Sequence, residues 1–183
     1  MSVFAAVKKI NYQPLIIIVI SLITFVIMYL ISIQTNKQYY INLTPSEPLG
    51  IYKKILFDGK LKKGELVIFK VPDAAKVYVY VYGRGWLKKE MPLLKEVRGI
   101  AGDQYTISSD GLLINGDYIG QVSTQDSQGK PLPKLRGRFV IKPEYFLPIS
   151  TYSNKSFDGR YFGVVSVKSI IGKAIPFWTI KTR

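Results

Sequence analysis

A chain of 183 residues has room for one compact domain and a short appendage, and its 48% hydrophobic and 21% charged content is that of a protein that folds. It has neither cysteine nor histidine, which excludes disulfides, thiol nucleophiles, imidazole bases and most transition-metal sites. The excess of 26 Lys plus Arg over 12 Asp plus Glu, a net charge of +14, draws it to polyanions, either nucleic acid or anionic lipid headgroups.

The first element is the uncharged run PLIIIVISLITFVIMYLISI at residues 14–33. As a helix its twenty residues extend about 30 Å, the thickness of a hydrocarbon core. A cleavable signal peptide has an apolar run of roughly 7–15 residues and a small-x-small site; this run is longer and leads into Gln34-Thr35-Asn36-Lys37. It reads as an uncleaved transmembrane anchor. Lys8 and Lys9 precede it and Lys37, Lys53 and Lys54 follow it, so charge alone does not orient it. A lone anchor with a short basic lead usually keeps that lead inside, because long domains translocate largely regardless of charge. Residues 1–13 are therefore expected in the cytoplasm and residues 34–183 as one periplasmic domain of an inner-membrane protein. Membrane lipids, and not nucleic acid, are then the expected partner for the positive charge.

Strand-like runs follow. Residues 65–71 (ELVIFKV) come first, then residues 76–82 (KVYVYVY), where Val77, Val79 and Val81 alternate with Tyr78, Tyr80 and Tyr82. That period of two predicts a strand with a half-exposed tyrosine face; base stacking would need basic residues between the rings. Residues 104–108 and 112–114 read as short strands, with turns at 109–111 and 115–117. The polar stretch 123–137 (STQDSQGKPLPKLRG) reads as an exposed loop, and residues 138–141, 145–149, 162–167 and 170–175 return to strand composition. The expected fold is a mainly β domain on one helical anchor.

Without cysteine or histidine, catalysis would have to run on hydroxyls, lysines, carboxylates or backbone dipoles, and no metal or cofactor is expected. Three segments break the strand pattern. In NLTPSEPLGIY, residues 42–52, prolines and a glycine fix the backbone around Ser46, as a nucleophile with an oxyanion hole requires. In PLLKEVRGIAGD, residues 92–103, Lys95 stands among Leu93, Leu94 and Val97, and a lysine serves as a base only if burial lowers its pKa enough to leave it neutral. In SNKSFDGRYFG, residues 153–163, Asp158 and Arg160 are close enough to pair, and Ser156 can orient a polar neighbour. Together they supply a nucleophile, a base and an orienting group without histidine. Twelve scattered acids offer no favoured pair of carboxylates for a glycosidase.

In order and spacing, these segments resemble the motifs of the type I signal peptidases, membrane-anchored Ser/Lys proteases, over nearly the whole chain. Ser46 with Pro48 resembles the nucleophile motif, and KGELVIF at 63–69 the Gly-Asp-x-Val strand, with Glu65 for aspartate. KEVRGIAGD at 95–103 resembles the general-base motif, with Glu96 for arginine and Ala101 for proline. SFDGRYFG at 156–163 resembles the Ser-x-Asp-Ser-Arg-x-x-Gly motif. The resemblance implies a signal-peptidase-like β fold, Ser46 as nucleophile and Lys95 as general base. It also implies Thr44 beside the Ser46 amide in the oxyanion hole, with Ser156, Asp158 and Arg160 in support. Asn42-x-Thr44-x-Ser46-x-Pro48-x-Gly50-x-Tyr52 most resembles the TraF-type peptidases of conjugative plasmid transfer, which implies a propilin or signal-peptide-bearing substrate of a type IV secretion apparatus. A housekeeping signal peptidase and a non-catalytic anchored scaffold are the alternatives.

Overall fold

The computed structural model describes residues 12–72, 77, 80–88 and 91–180, without the side chains of 33–37. The chain forms two units, Met1–Gln38 and Tyr39–Arg183. In the first, helix α1 covers Gln13–Gln38, so it runs past the predicted end of the anchor. Residues Gln13–Ser32 are long and apolar enough to cross a membrane, and no side chain in that stretch is buried. The Thr24 hydroxyl donates to the Ile20 carbonyl at 2.9 Å, satisfying within the helix a polar group that lipid could not. The helix fits a single-pass anchor.

The second unit is mainly β, as the sequence predicts. Its larger sheet has seven strands in the order β1-β2-β11-β3-β4-β9-β10. These are β1 Tyr39–Asn42, β2 Leu49–Ile55, β3 Leu66–Phe69, β4 Leu93–Gly99, β9 Tyr145–Ile149, β10 Val165–Ser166 and β11 Ile170–Ile180. The smaller sheet, in the order β7-β6-β5-β8, comprises β5 Gln104–Ile107, β6 Leu112–Ile114, β7 Asp117–Gly120 and β8 Gly137–Val140. All the pairings are antiparallel. The predicted turn at 115–117 joins β6 to β7 through Asn115 and Gly116, both at positive φ (53° and 93°), the backbone a two-residue hairpin demands.

Strand β9 contributes to two cores at once. Phe146 packs with Val67, Phe69 and Val97, whereas Leu147 and Ile149 pack with Ile107, Leu112 and Ile141. Alternate side chains leave a strand on opposite faces, so one strand serves both clusters. Strand β4, buried at five of its seven positions, lies between β3 and β9 and carries Lys95 into this interior.

Two strand predictions fail. In residues 76–82, Val77, Tyr80 and Val81 are helical, while residues 76, 78 and 79 lie outside the described residues. Val77 and Val81 are both buried in the first core. A separation of four puts them on one face of a helix as well as of a strand, so the alternation did not discriminate. In residues 162–167, Phe162 ends a short helix, α2 (Gly159–Phe162), and Val167 begins a 3-10 turn, which leaves Val165–Ser166 as strand. The Asp158 side chain caps α2 by accepting from the Arg160 amide, and Gly163 ends it at φ 78°.

Candidate active site

Residues 43–48 form a tight turn between β1 and β2 that presents Ser46. Its organiser is Asn42, almost wholly buried at the end of β1. The Asn42 amide nitrogen donates to the carbonyls of Thr44 (3.0 Å), Glu47 (3.0 Å) and Pro48 (3.1 Å). Its amide oxygen accepts from the Thr44 backbone N–H (3.2 Å) and hydroxyl (2.9 Å). Buried backbone groups must be paired, and one side chain here pairs four of them. The Tyr52 hydroxyl donates to the Pro48 carbonyl at 2.6 Å. At Gly50, φ is +145° and a Cβ would lie 2.1 Å from the Trp178 carbonyl oxygen, so glycine is required. Each fixed residue of the Asn-x-Thr-x-Ser-x-Pro-x-Gly-x-Tyr pattern, from Asn42 to Tyr52, thus lies at the end of β1, in the turn or at the start of β2.

Lys95 is 2% exposed, and its Nζ lies 2.6 Å from Ser46 Oγ. The Thr44 hydroxyl lies 3.2 Å from the same Oγ. Burial holds the Lys95 amine below its ordinary pKa of 10.5, against the pull of Asp158 and Glu47, and Arg160 pushes it further down.

Asp158 and Arg160 form a buried ion pair, with Nη1 2.9 Å from Oδ2. The Ser150 amide donates to the same Oδ2 at 2.9 Å, and Arg160 Nη2 donates to the Ser150 carbonyl at 2.7 Å. Ser150 Oγ in turn donates to the Ser46 carbonyl. Gly159 lets α2 lie against β9, because a Cβ there would stand 2.7 Å from Leu147 Cδ1 and 2.8 Å from the Pro148 oxygen. The structure therefore brings Ser46, Lys95, Thr44, Asp158 and Arg160 into one connected cluster. Ser156 lines the same cleft as Ser46 and Lys95, with a buried hydroxyl that has no hydrogen-bond partner.

That cleft has a volume of about 440 Å³ and a mainly apolar lining that includes Trp86, Leu87, Leu132, Phe157 and Tyr161. Phe157 stacks on Tyr161 with ring centroids 5.3 Å apart. The loop 123–137 lines it through Gln125, Asp126 and Ser127. Arg84 holds that loop by pairing with Asp126 at 2.5 Å and donating to the Pro131 carbonyl at 2.7 Å, while its guanidinium lies over the Tyr80 ring. Sequence reasoning placed Asn42 and Glu47 in the nucleophile segment but gave neither a role, and it missed Ser150 and Arg84 as parts of the site.

A serine hydroxyl touching a buried amine, with backbone and hydroxyl donors beside it, can attack a carbonyl and stabilise the oxyanion. Residues 9–178 match the family model described as signal peptidase, peptidase S26. The chain belongs to this signal peptidase family. It is 31% identical over 149 residues to the conjugal transfer protein TraF of Agrobacterium fabrum (strain C58), covering 77% of this chain and 82% of that protein. It is likewise 31% identical over 147 residues to a plasmid transfer protein TraF of Escherichia coli, covering 76% and 82%. A crystal structure of a signal peptidase I from Enterococcus faecalis V583 aligns with 62% of this chain and 95% of that one, at 17% identity and a TM-score of 0.37. Among the described residues, no group of three or more His, Cys, Asp or Glu side chains that could hold a metal ion occurs.

Proposed function

We propose that this peptidase is a membrane-anchored serine endopeptidase with a Ser46/Lys95 dyad, which cleaves a signal or propilin peptide on the periplasmic side of the inner membrane in conjugative transfer. The observation that carries the reading is the 2.6 Å approach of the buried Lys95 Nζ to Ser46 Oγ. The conjugative setting rests on the likeness to the transfer proteins of Agrobacterium fabrum and Escherichia coli, and the propilin substrate on the resemblance of residues 42–52 to TraF-type peptidases.

Neutral Lys95 Nζ removes the Ser46 Oγ proton as that oxygen bonds to the scissile carbonyl carbon. The oxyanion accepts from the Ser46 backbone N–H and from the Thr44 hydroxyl, which turns toward it from Asn42. Collapse of the tetrahedral species breaks the C–N bond, and the Lys95 ammonium gives its proton to the leaving amine. The amine, neutral again, deprotonates the water that hydrolyses the acyl-serine, and then returns the proton to Oγ. The Asp158–Arg160 pair fixes Ser150 against the nucleophile turn, and Ser156, whose buried hydroxyl has no partner, would orient Nζ by turning toward it.

An interfacial substrate suits the outer surface of this unit. Ile41, Leu43, Ile175, Phe177, Trp178 and Ile180 are exposed on β1, the residue that follows it, and β11. Apolar surface of this extent marks contact with lipid or partner.

The test is coexpression of the full chain with a candidate pilin precursor, beside Ser46→Ala and Lys95→Ala. Processing by the unaltered chain and none by either variant is expected. Processing that survives both substitutions contradicts the proposal.

A further inference from the structure

Three segments wall the cleft that holds Ser46 and Lys95. Residues 81–87 present Trp86 and Leu87 to it, the loop 123–132 presents Leu132, and Phe157 and Tyr161 stand to either side of Asp158 and Arg160. Each wall is braced against the others. Arg84 of the first pairs with Asp126 of the second and donates to the Pro131 carbonyl, next to Leu132. Asp126 also accepts from the backbone N–H groups of Gln128 and Lys130, both at 2.9 Å, so the loop is wound about one carboxylate. The Ser123 amide donates to the Tyr161 hydroxyl at 3.1 Å, tying the second wall to the third. Phe157 closes the ring, stacked on Tyr80 at 5.7 Å between centroids and 5.1 Å from Trp86.

We propose that this cleft takes a bulky apolar side chain of the substrate, of leucine to phenylalanine size, within three residues of the scissile bond. The proposal rests on Ser46 and Lys95 being the dyad, because it is their presence in the same cleft that makes the substrate its occupant.

The physical reason is a space that cannot close. A methyl group takes up about as much room as one water molecule, ~30 Å³ of liquid volume, so an alanine leaves most of the 440 Å³ unfilled. Either water then stands against apolar walls, or their atoms lose contacts that a larger side chain would supply. The cost of such a gap depends on how far its surroundings relax, and here the braces between the walls prevent relaxation. A leucine or phenylalanine fills the space without ordering the walls, which are already fixed, and the aromatic face of Phe157 suits either. Asp126, the one acid among the lining residues, is taken up by Arg84, so the cleft offers no free carboxylate to a basic side chain. A cleft of this volume is on the order of 8 Å across, the reach of two to three extended residues, which places the bulky side chain close to the bond that is cut.

The experiment incubates the full-length enzyme in detergent with a randomised peptide library and reads the cut bonds by mass spectrometry. Matched peptides with alanine, leucine or phenylalanine at each of the three positions on either side of the cut then give kcat/KM. At one of those positions leucine or phenylalanine is expected to be favoured over alanine by about tenfold or more. Leu132→Trp, which fills the cleft from its second wall, is expected to abolish that preference. Alanine favoured at every position, or a preference that Leu132→Trp leaves unmoved, overturns the proposal and leaves the dyad reading standing. Should Leu132→Trp not fold, Trp86→Ala opens the cleft at a half-buried residue and is expected to shift the preference toward larger side chains; an unmoved preference there overturns the proposal equally. The dyad reading fails separately, if no bond in the library is cut or cutting survives Ser46→Ala, and the proposal then falls with it.

Discussion

Ser150 Oγ donates to the carbonyl oxygen of Ser46, a residue 104 positions away in the chain. The Ser150 peptide group is itself gripped on both sides, its N–H by Asp158 and its carbonyl by Arg160. The ion pair therefore reaches the nucleophile turn through the backbone of one residue, and its contribution to the site is positional.

Breaking that pair should be costly. Arg160→Ala leaves Asp158 buried without its cation, and removal of one partner of a buried pair typically costs about 3–5 kcal/mol. Asp158→Asn keeps the shape and one acceptor, and should cost less. Chemical denaturation of both variants checks the order, and Arg160→Ala unfolding no more easily than Asp158→Asn would contradict it.

The nucleophile turn depends on Asn42. Asn42→Asp keeps the acceptor for Thr44 but removes the donor to the carbonyls of Thr44, Glu47 and Pro48. A loss of about 2–3 kcal/mol of stability is expected, with kcat falling more than KM rises, since the turn and not the cleft is disturbed. Unfolding curves and steady-state kinetics on the same preparation measure both.

Thr44 is bonded to Asn42 Oδ1 and must turn to serve the oxyanion. Removal of one oxyanion donor typically costs about 2.7–4 kcal/mol of barrier, or roughly 10²–10³ in kcat, so Thr44→Val should be much slower and Thr44→Ser near normal. Full activity in Thr44→Val would remove Thr44 from the hole.

Arg84 touches neither Ser46 nor Lys95 yet holds a wall of the cleft through Asp126 and Pro131. Arg84→Ala should raise KM with kcat nearly kept, by about fivefold for an interaction of about 1 kcal/mol. Kinetics on a peptide that fills the cleft test this, and an unchanged KM would free the loop of any part in binding.

The mainly β class, the long apolar helix and the segments around Ser46, Lys95 and Asp158 were legible because each has a local signature: strand composition between turn residues, an uncharged run, or a turn residue out of place in a strand. What stayed hidden depends on contacts distant in sequence. Nothing local marks Ser150, whose role exists only when β9 lies beside the 43–48 turn. Glu47 reads as one more acidic turn residue until its burial is seen. Strand β2 was missed because Lys53 and Lys54 interrupt its apolar pattern, although both its neighbours, β1 and β11, pair with it. The valines at 77 and 81 satisfied two periods, and only tertiary packing chose the helix.

The central claim is that Lys95 is a neutral base when it meets Ser46. Carbon-13 labelling of the lysine side chains, with Lys95 assigned by loss of its signal in Lys95→Arg, allows its titration to be followed directly. The account predicts a midpoint well below 10.5, coinciding with the acid limb of cleavage. A midpoint at or above 10.5, with cleavage already complete at lower pH, would contradict it.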